Sequence, residues 1–118
     1  MAYWQTRIFY NERHDDGRIM KEMKGLYTAL ITPFTQEGVL DREGLRRNLR
    51  FQLQNNVDGV VVLGTTGEAP TLNSHEKDVV VEIALEELKG KVSIFVGTGT
   101  YSTETTIATT KKAKLSPL

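Results

Sequence analysis

Apolar and polar positions along the 118-residue chain fall into short apolar runs separated by longer amphipathic stretches. The first run, Leu26-Tyr27-Thr28-Ala29-Leu30-Ile31, suits a short strand, and Thr32-Pro33 with the turn residues to Gly38 ends it. Asp41 then caps a helix, because its carboxylate accepts from the free amides of a first turn. Leu45, Leu49 and Leu53 follow at i, i+4 and i+8 as one buried stripe, with Arg46, Arg47 and Arg50 largely off it, and Asn55-Asn56 closes the helix. Asp58-Gly59 leads into Val60-Val61-Val62-Leu63, a continuous apolar run of the kind that predicts a strand buried on both faces. After the loop Gly64 to Pro70, Asn73 and Glu76 make a capping-box-like start to a second helix. Its core stripe is Val80, Ile83, Ala84 and Leu88, and Gly90 is its C′ residue. Val92-Ser93-Ile94-Phe95-Val96 predicts a third strand, Gly97-Thr98-Gly99 a second glycine loop, and Ser102 or Thr103 the start of a Thr-rich, intrinsically weak helix.

The order is β-α-β-α-β-α, with strands beginning about 32 residues apart. That interval accommodates a right-handed crossover, so the strands are expected to be parallel with helices outside. Three parallel strands leave two open edges, an unusual way to finish a domain. The first 24 residues carry Tyr3, Trp4, Phe9 and Tyr10 without a sustained period, and Asp15-Asp16-Gly17 breaks them. Residues 1–24 therefore read as an N-terminal extension outside the fold, residues 25–118 as the folded part, and Met20 and Met23 as alternative starts.

Composition narrows the function classes. Fifteen basic against 15 acidic residues give zero net charge, which removes the electrostatic term behind non-specific nucleic-acid or anionic-membrane binding. No apolar run approaches the ~18–20 residues that span a bilayer, and the leader lacks the apolar core of a signal peptide. With no cysteine there is no disulfide or thiolate chemistry, and a cytoplasmic location is expected.

The loop Gly64-Thr65-Thr66-Gly67-Glu68 falls at the C-terminal end of a buried strand, where parallel α/β folds bind ligands. Two adjacent hydroxyls flanked by glycines present side-chain and backbone donors to one small anion, and a carboxylate fits such a cradle. A tight packing turn is the competing reading of the same spacing. No lysine stands at the Walker spacing, so a nucleotide loop is disfavoured. Gly97-Thr98-Gly99 only partly imitates a dinucleotide fingerprint and reads as packing. His14 and His75 have no second ligand at metal spacing, and Lys111, Lys112 and Lys114 read as a solvated face.

The run Gly25 to Phe34, with its Thr32-Pro33-Phe34 turn, then Gly59 to Glu68 and Gly97-Thr98-Gly99, resembles the N-terminal part of dihydrodipicolinate synthase. That enzyme belongs to the wider class I pyruvate-dependent aldolase family, which includes N-acetylneuraminate lyase. The resemblance covers about Met23 to Lys114 and implies the first three βα units of an incomplete TIM barrel, out of eight. It implies a lyase that condenses pyruvate with aspartate semialdehyde through a Schiff base, a step of lysine and diaminopimelate biosynthesis. No cofactor or metal is expected. By resemblance Thr66 binds the pyruvate carboxylate and Thr65 relays protons between two tyrosines. The Thr65-Thr66 pair leans away from the lyase, whose first position is usually Ser, while sugar-acid aldolases such as 2-keto-3-deoxygluconate aldolase share the pair. The family's Schiff-base lysine lies on the sixth strand, outside this chain, so the isolated chain is expected to be inactive. Full-length members are homo-oligomers, usually tetramers. The positions matching a lysine-inhibition pocket are Pro70, Ser74, Lys77, Tyr101 and Thr105, which lack the residues of inhibited enzymes and predict insensitivity to lysine. A truncated, non-enzymatic remnant and a stand-alone ligand-binding module are the alternative readings.

Overall fold

The computed structural model describes residues 5–8 and 24–115. His14, the four leader aromatics and the tail after Leu115 lie outside the described residues. The elements are β1 (Gln5–Ile8), β2 (Tyr27–Ala29), α1 (Arg42–Gln54), β3 (Gly59–Val62), α2 (Ser74–Leu88), β4 (Ser93–Gly97) and α3 (Thr103–Leu115).

The helix boundaries follow from their caps. Asp41 accepts from the Gly44 amide at 2.8 Å, and Leu45 and Leu49 of α1 are fully buried, with Leu53 packed against them. Asn73 accepts from the Glu76 amide at 2.9 Å while the Glu76 carboxylate accepts from the Asn73 amide at 2.8 Å, closing a reciprocal capping box. Gly90, one residue past the Lys89 C-cap, has φ +75°, the left-handed conformation that glycine adopts without a Cβ penalty. The Ser102 hydroxyl accepts from the Thr105 amide at 3.2 Å and so starts α3.

One sheet runs in the order β1-β4-β3-β2. Strands β2, β3 and β4 are parallel, with Thr28 beside Val60 and Val60 beside Ile94. The helices cover one face, where Leu30, Val60, Val62, Ile94 and Val96 join Leu45, Leu49, Val80, Ile83 and Leu88 in a single core. The Thr28 hydroxyl donates to the Gln52 Oε1 of α1 at 2.9 Å on that same side. The opposite face presents Tyr27, Ala29, Val61 and Phe95, with the Tyr27 and Phe95 rings edge-on at 5.0 Å. Only Phe95 of these is buried; Ala29 is exposed and Val61 half-buried. The two-sided burial expected for the Val60–Leu63 run is therefore met on one side only. A closed barrel fills its interior with side chains from strands all round the ring, and three parallel strands provide one arc of it.

The leader also contributes to the sheet. Gln5–Ile8 fall within the stretch expected outside the fold, yet they pair antiparallel with β4 along four consecutive residues. Among the described residues, no helix is long and apolar enough to cross a membrane.

Helices α1 and α2 are tied at their outer rim by charge. Glu87, whose side chain is 12% exposed, accepts from Arg50 Nε at 2.8 Å and from Arg46 Nη1 at 3.1 Å. The Arg50 hydrogen bond, reinforced by Arg46, outweighs desolvation and lowers the Glu87 carboxyl to about 2. A depressed folded-state pKa stabilises the fold above the unfolded value of 4.5, and that contribution is lost as pH falls toward 2. Glu87→Gln is expected to flatten the pH dependence of unfolding midpoints between those limits, measured by urea melts across the acid range.

Candidate functional site

Three strand ends build the candidate site. At the end of β3 the chain turns through Leu63, which adopts φ +56°, a left-handed conformation that is costly for a branched residue. The turn continues through Gly64 to Glu68, whose own φ is +54°, into a 3₁₀ turn over Ala69–Thr71. Within it the Gly67 amide donates to the Gly64 carbonyl at 3.1 Å and the Glu68 amide to the Thr65 carbonyl at 3.0 Å.

Two contacts from neighbouring units hold this turn in place. Thr32, 4% exposed at the end of the first unit, donates its hydroxyl to the Gly67 carbonyl at 2.7 Å in a buried hydrogen bond. Gly97, the last residue of β4, packs so closely on the turn that a Cβ there would collide with the Leu63 carbonyl oxygen. Gly67 is itself confined, since a Cβ would lie 3.2 Å from the Leu30 carbonyl oxygen and 3.3 Å from Thr32 Oγ1.

Thr65 and Thr66, the two residues singled out in the sequence, are exposed on this pinned turn. Neither their hydroxyls nor their amides take a hydrogen-bond partner among the described residues. The arrangement can therefore offer side-chain O–H and backbone N–H groups together to one small acceptor at the C-terminal end of β3.

The second glycine loop is organised differently. The Thr100 amide donates to Thr106 Oγ1 at 2.9 Å, the Thr100 hydroxyl to the Ser102 carbonyl at 2.8 Å, and the Thr110 hydroxyl to Thr98 Oγ1 at 2.9 Å. Its polar groups are used internally. Among the described residues no lysine side chain is buried, and Lys91 and Lys112 are held by the Glu87 carbonyl and Asp78 at the surface. His75 is exposed on α2, and no cluster of metal-ligating side chains occurs among the described residues. A groove of about 440 Å³ lies between α2 and α3, lined by Val81, Leu85, Val96, Lys77 and Lys112, but neither Thr65 nor Thr66 faces it.

Sequence reasoning singled out Thr65 and Thr66 but took Thr32 as the end of a strand and part of the Thr32-Pro33-Phe34 turn, without its hydrogen bond to Gly67. Its signal was position: a small hydroxyl residue directly before Pro33, where the chain leaves the sheet.

Comparison with known proteins gives the chain's family. Residues 22–116 match the Dihydrodipicolinate synthetase family. A 4-hydroxy-tetrahydrodipicolinate synthase of Protochlamydia amoebophila is 60% identical over 92 residues, which are 78% of this chain and 31% of that protein. A solved monomeric variant of dihydrodipicolinate synthase is 46% identical with a TM-score of 0.74, covering 78% of this chain and 30% of its own. The N-acetylneuraminate lyase of Mycoplasma synoviae is 34% identical with a TM-score of 0.70, covering 77% of this chain and 32% of its own. The chain thus spans about a third of the length of its relatives, whose synthases are TIM barrels. Over that third, the three parallel strands and their outer helices follow the α/β pattern of those relatives, and the chain belongs to the Dihydrodipicolinate synthetase family.

Proposed function

We propose that this chain carries the pyruvate-carboxylate subsite of a dihydrodipicolinate-synthase-type aldolase. The observation that carries the reading is the exposed pair Thr65-Thr66, whose hydroxyls and amides have no hydrogen-bond partners among the described residues, on a turn fixed by Thr32 and Gly97. The Thr66 hydroxyl and amide donate to the substrate carboxylate, which turns the ketone of pyruvate toward the barrel axis. The Thr65 hydroxyl both accepts and donates a proton, as a relay position requires. In the complete reaction a lysine amine displaces water from the pyruvate ketone to form an imine. Loss of a methyl proton then gives the enamine that attacks the aldehyde of aspartate semialdehyde. No lysine among the described residues is positioned or buried for the first step, which needs an amine whose pKa is lowered by its surroundings. The 118-residue chain is therefore a binding element of the reaction and performs none of it alone.

Titrating pyruvate into the isotope-labelled chain is expected to shift the Thr65 and Thr66 amide resonances selectively. Thr66→Val, which removes one donor, is expected to weaken that binding by about tenfold, the equivalent of about 1.4 kcal/mol. Borohydride with pyruvate should leave the protein mass unchanged, and both substrates together should give no turnover. An adduct or turnover would overturn the assignment of inactivity, and unperturbed Thr65 and Thr66 amides would overturn the subsite.

A further inference from the structure

We propose that the outer edge of β4 is a strand-docking site occupied by the chain's own leader, and that this occupancy excludes the parallel strand that would otherwise extend the sheet. The register is continuous: Gln5, Thr6, Arg7 and Ile8 stand opposite Gly97, Val96, Phe95 and Ile94. In the eight-stranded relatives the sheet is closed, so every strand has a neighbour on each side. Here the inner neighbour of β4 is the parallel strand β3, as in a barrel, but the outer neighbour is antiparallel and comes from residues that precede the family match at residue 22. A strand edge carries one row of outward amides and carbonyls, and two strands cannot both use it. A polypeptide bearing further βα units must displace Gln5–Ile8 before it can continue the sheet.

Chain length favours occupancy by the same molecule. Eighteen residues separate Ile8 from Tyr27. β1 and β2 lie three strand spacings apart, roughly 14 Å, whereas 18 residues reach about 60 Å when extended. A connection long enough to span that gap holds the leader at an effective concentration in about the millimolar range, well above that of a second molecule in dilute solution. The docked strand carries Arg7, and a charge on an edge strand discourages further pairing. This inference is independent of the pyruvate subsite.

The absence of cysteine from the sequence allows a direct test in the full chain. Thr6→Cys with Val96→Cys places two thiols on directly opposed residues, whose Cα separation in an antiparallel pair suits a disulfide. Mild oxidation of the dilute chain is expected to give an intramolecular disulfide in most molecules. Interchain disulfides would show that a second copy supplies the strand, and reduced thiols in a folded chain would show no docking; either overturns the proposal. In parallel, the unmodified chain and Thr6→Pro/Arg7→Pro are compared by amide exchange and light scattering. The proline pair is expected to speed exchange at the β4 amides facing away from β3 by at least tenfold and to produce larger species. Unchanged exchange and size would overturn the proposal. Global unfolding by substitutions confined to the leader would support it, since an undocked leader could not have that effect.

Discussion

Gly97→Ala is expected to destabilise the chain by about 3 kcal/mol, the upper range for forcing an atom into a packed interior. The added Cβ meets backbone, the Leu63 carbonyl, rather than a side chain that can rotate away. Strand β4 has little room to withdraw, because it is paired with β3 on one side and β1 on the other. Leu63 has little more, since it already sits at φ +56° and leads directly into Gly64 and the threonine pair. The strain is relieved only by moving the turn that carries Thr65 and Thr66, so the variant is expected to lose the pyruvate-induced shifts together with stability. Gly99→Ala is the control. It lies two residues further on, where a Cβ meets nothing within 4 Å, and its unfolding free energy from urea melts should stay within about 0.5 kcal/mol of the parent. Equal effects of the two substitutions would show that the close approach to Leu63 is not what requires glycine at position 97.

Leu49→Ala is expected to cost between about 2 and 5 kcal/mol, through lost burial and the cavity left between α1, α2 and the sheet. Leu49 is 0% exposed, so truncation leaves an internal void rather than a surface dent that water can fill. Small domains have only about 5–15 kcal/mol in hand, so this change alone should remove a large share of the chain's stability. Phe51, two residues along the same helix but 60% exposed, gives the contrast: Phe51→Ala removes more atoms yet should cost well under 1 kcal/mol. Denaturant melts of the pair with an unchanged m-value would separate lost burial from a change in the unfolded ensemble.

These two residues also mark how much was legible beforehand. Leu49 was readable because helical burial repeats: the stripe Leu45, Leu49, Leu53 declares its own inner face, and Asp41 declares where the helix begins. The Asn73–Glu76 box and Gly90 were readable for the same reason, since capping is chemistry between residues close in sequence. That Thr65 and Thr66 lie on a turn at a strand end was readable from their place after a buried run. Gly97 was read as a packing glycine, but its contact partner was not available to any local rule, because Leu63 lies in the preceding βα unit. Thr32 was missed on the same ground, its acceptor being 35 positions away. The half-buried state of Val61 was misread because an apolar run records the environment a strand is built for. The pairing of Gln5–Ile8 had no signal at all, since an edge strand is recruited by the free backbone groups of β4 and asks little of its side chains.

The buried hydrogen bond from Thr32 to Gly67 has a consequence in time as well as in space. It joins the first unit to the turn after the second, and Gly97 brings in the third, so the turn that carries the threonine pair is fixed in place by contacts between units. Contacts of such long sequence separation form late, after the entropy of closing the intervening loops has been met. A chain with one or two units docked has helices and strands but no set turn at Thr65 and Thr66. The turn that carries Thr65 and Thr66 is thus a checkpoint on the assembly of all three units, reached last and lost first.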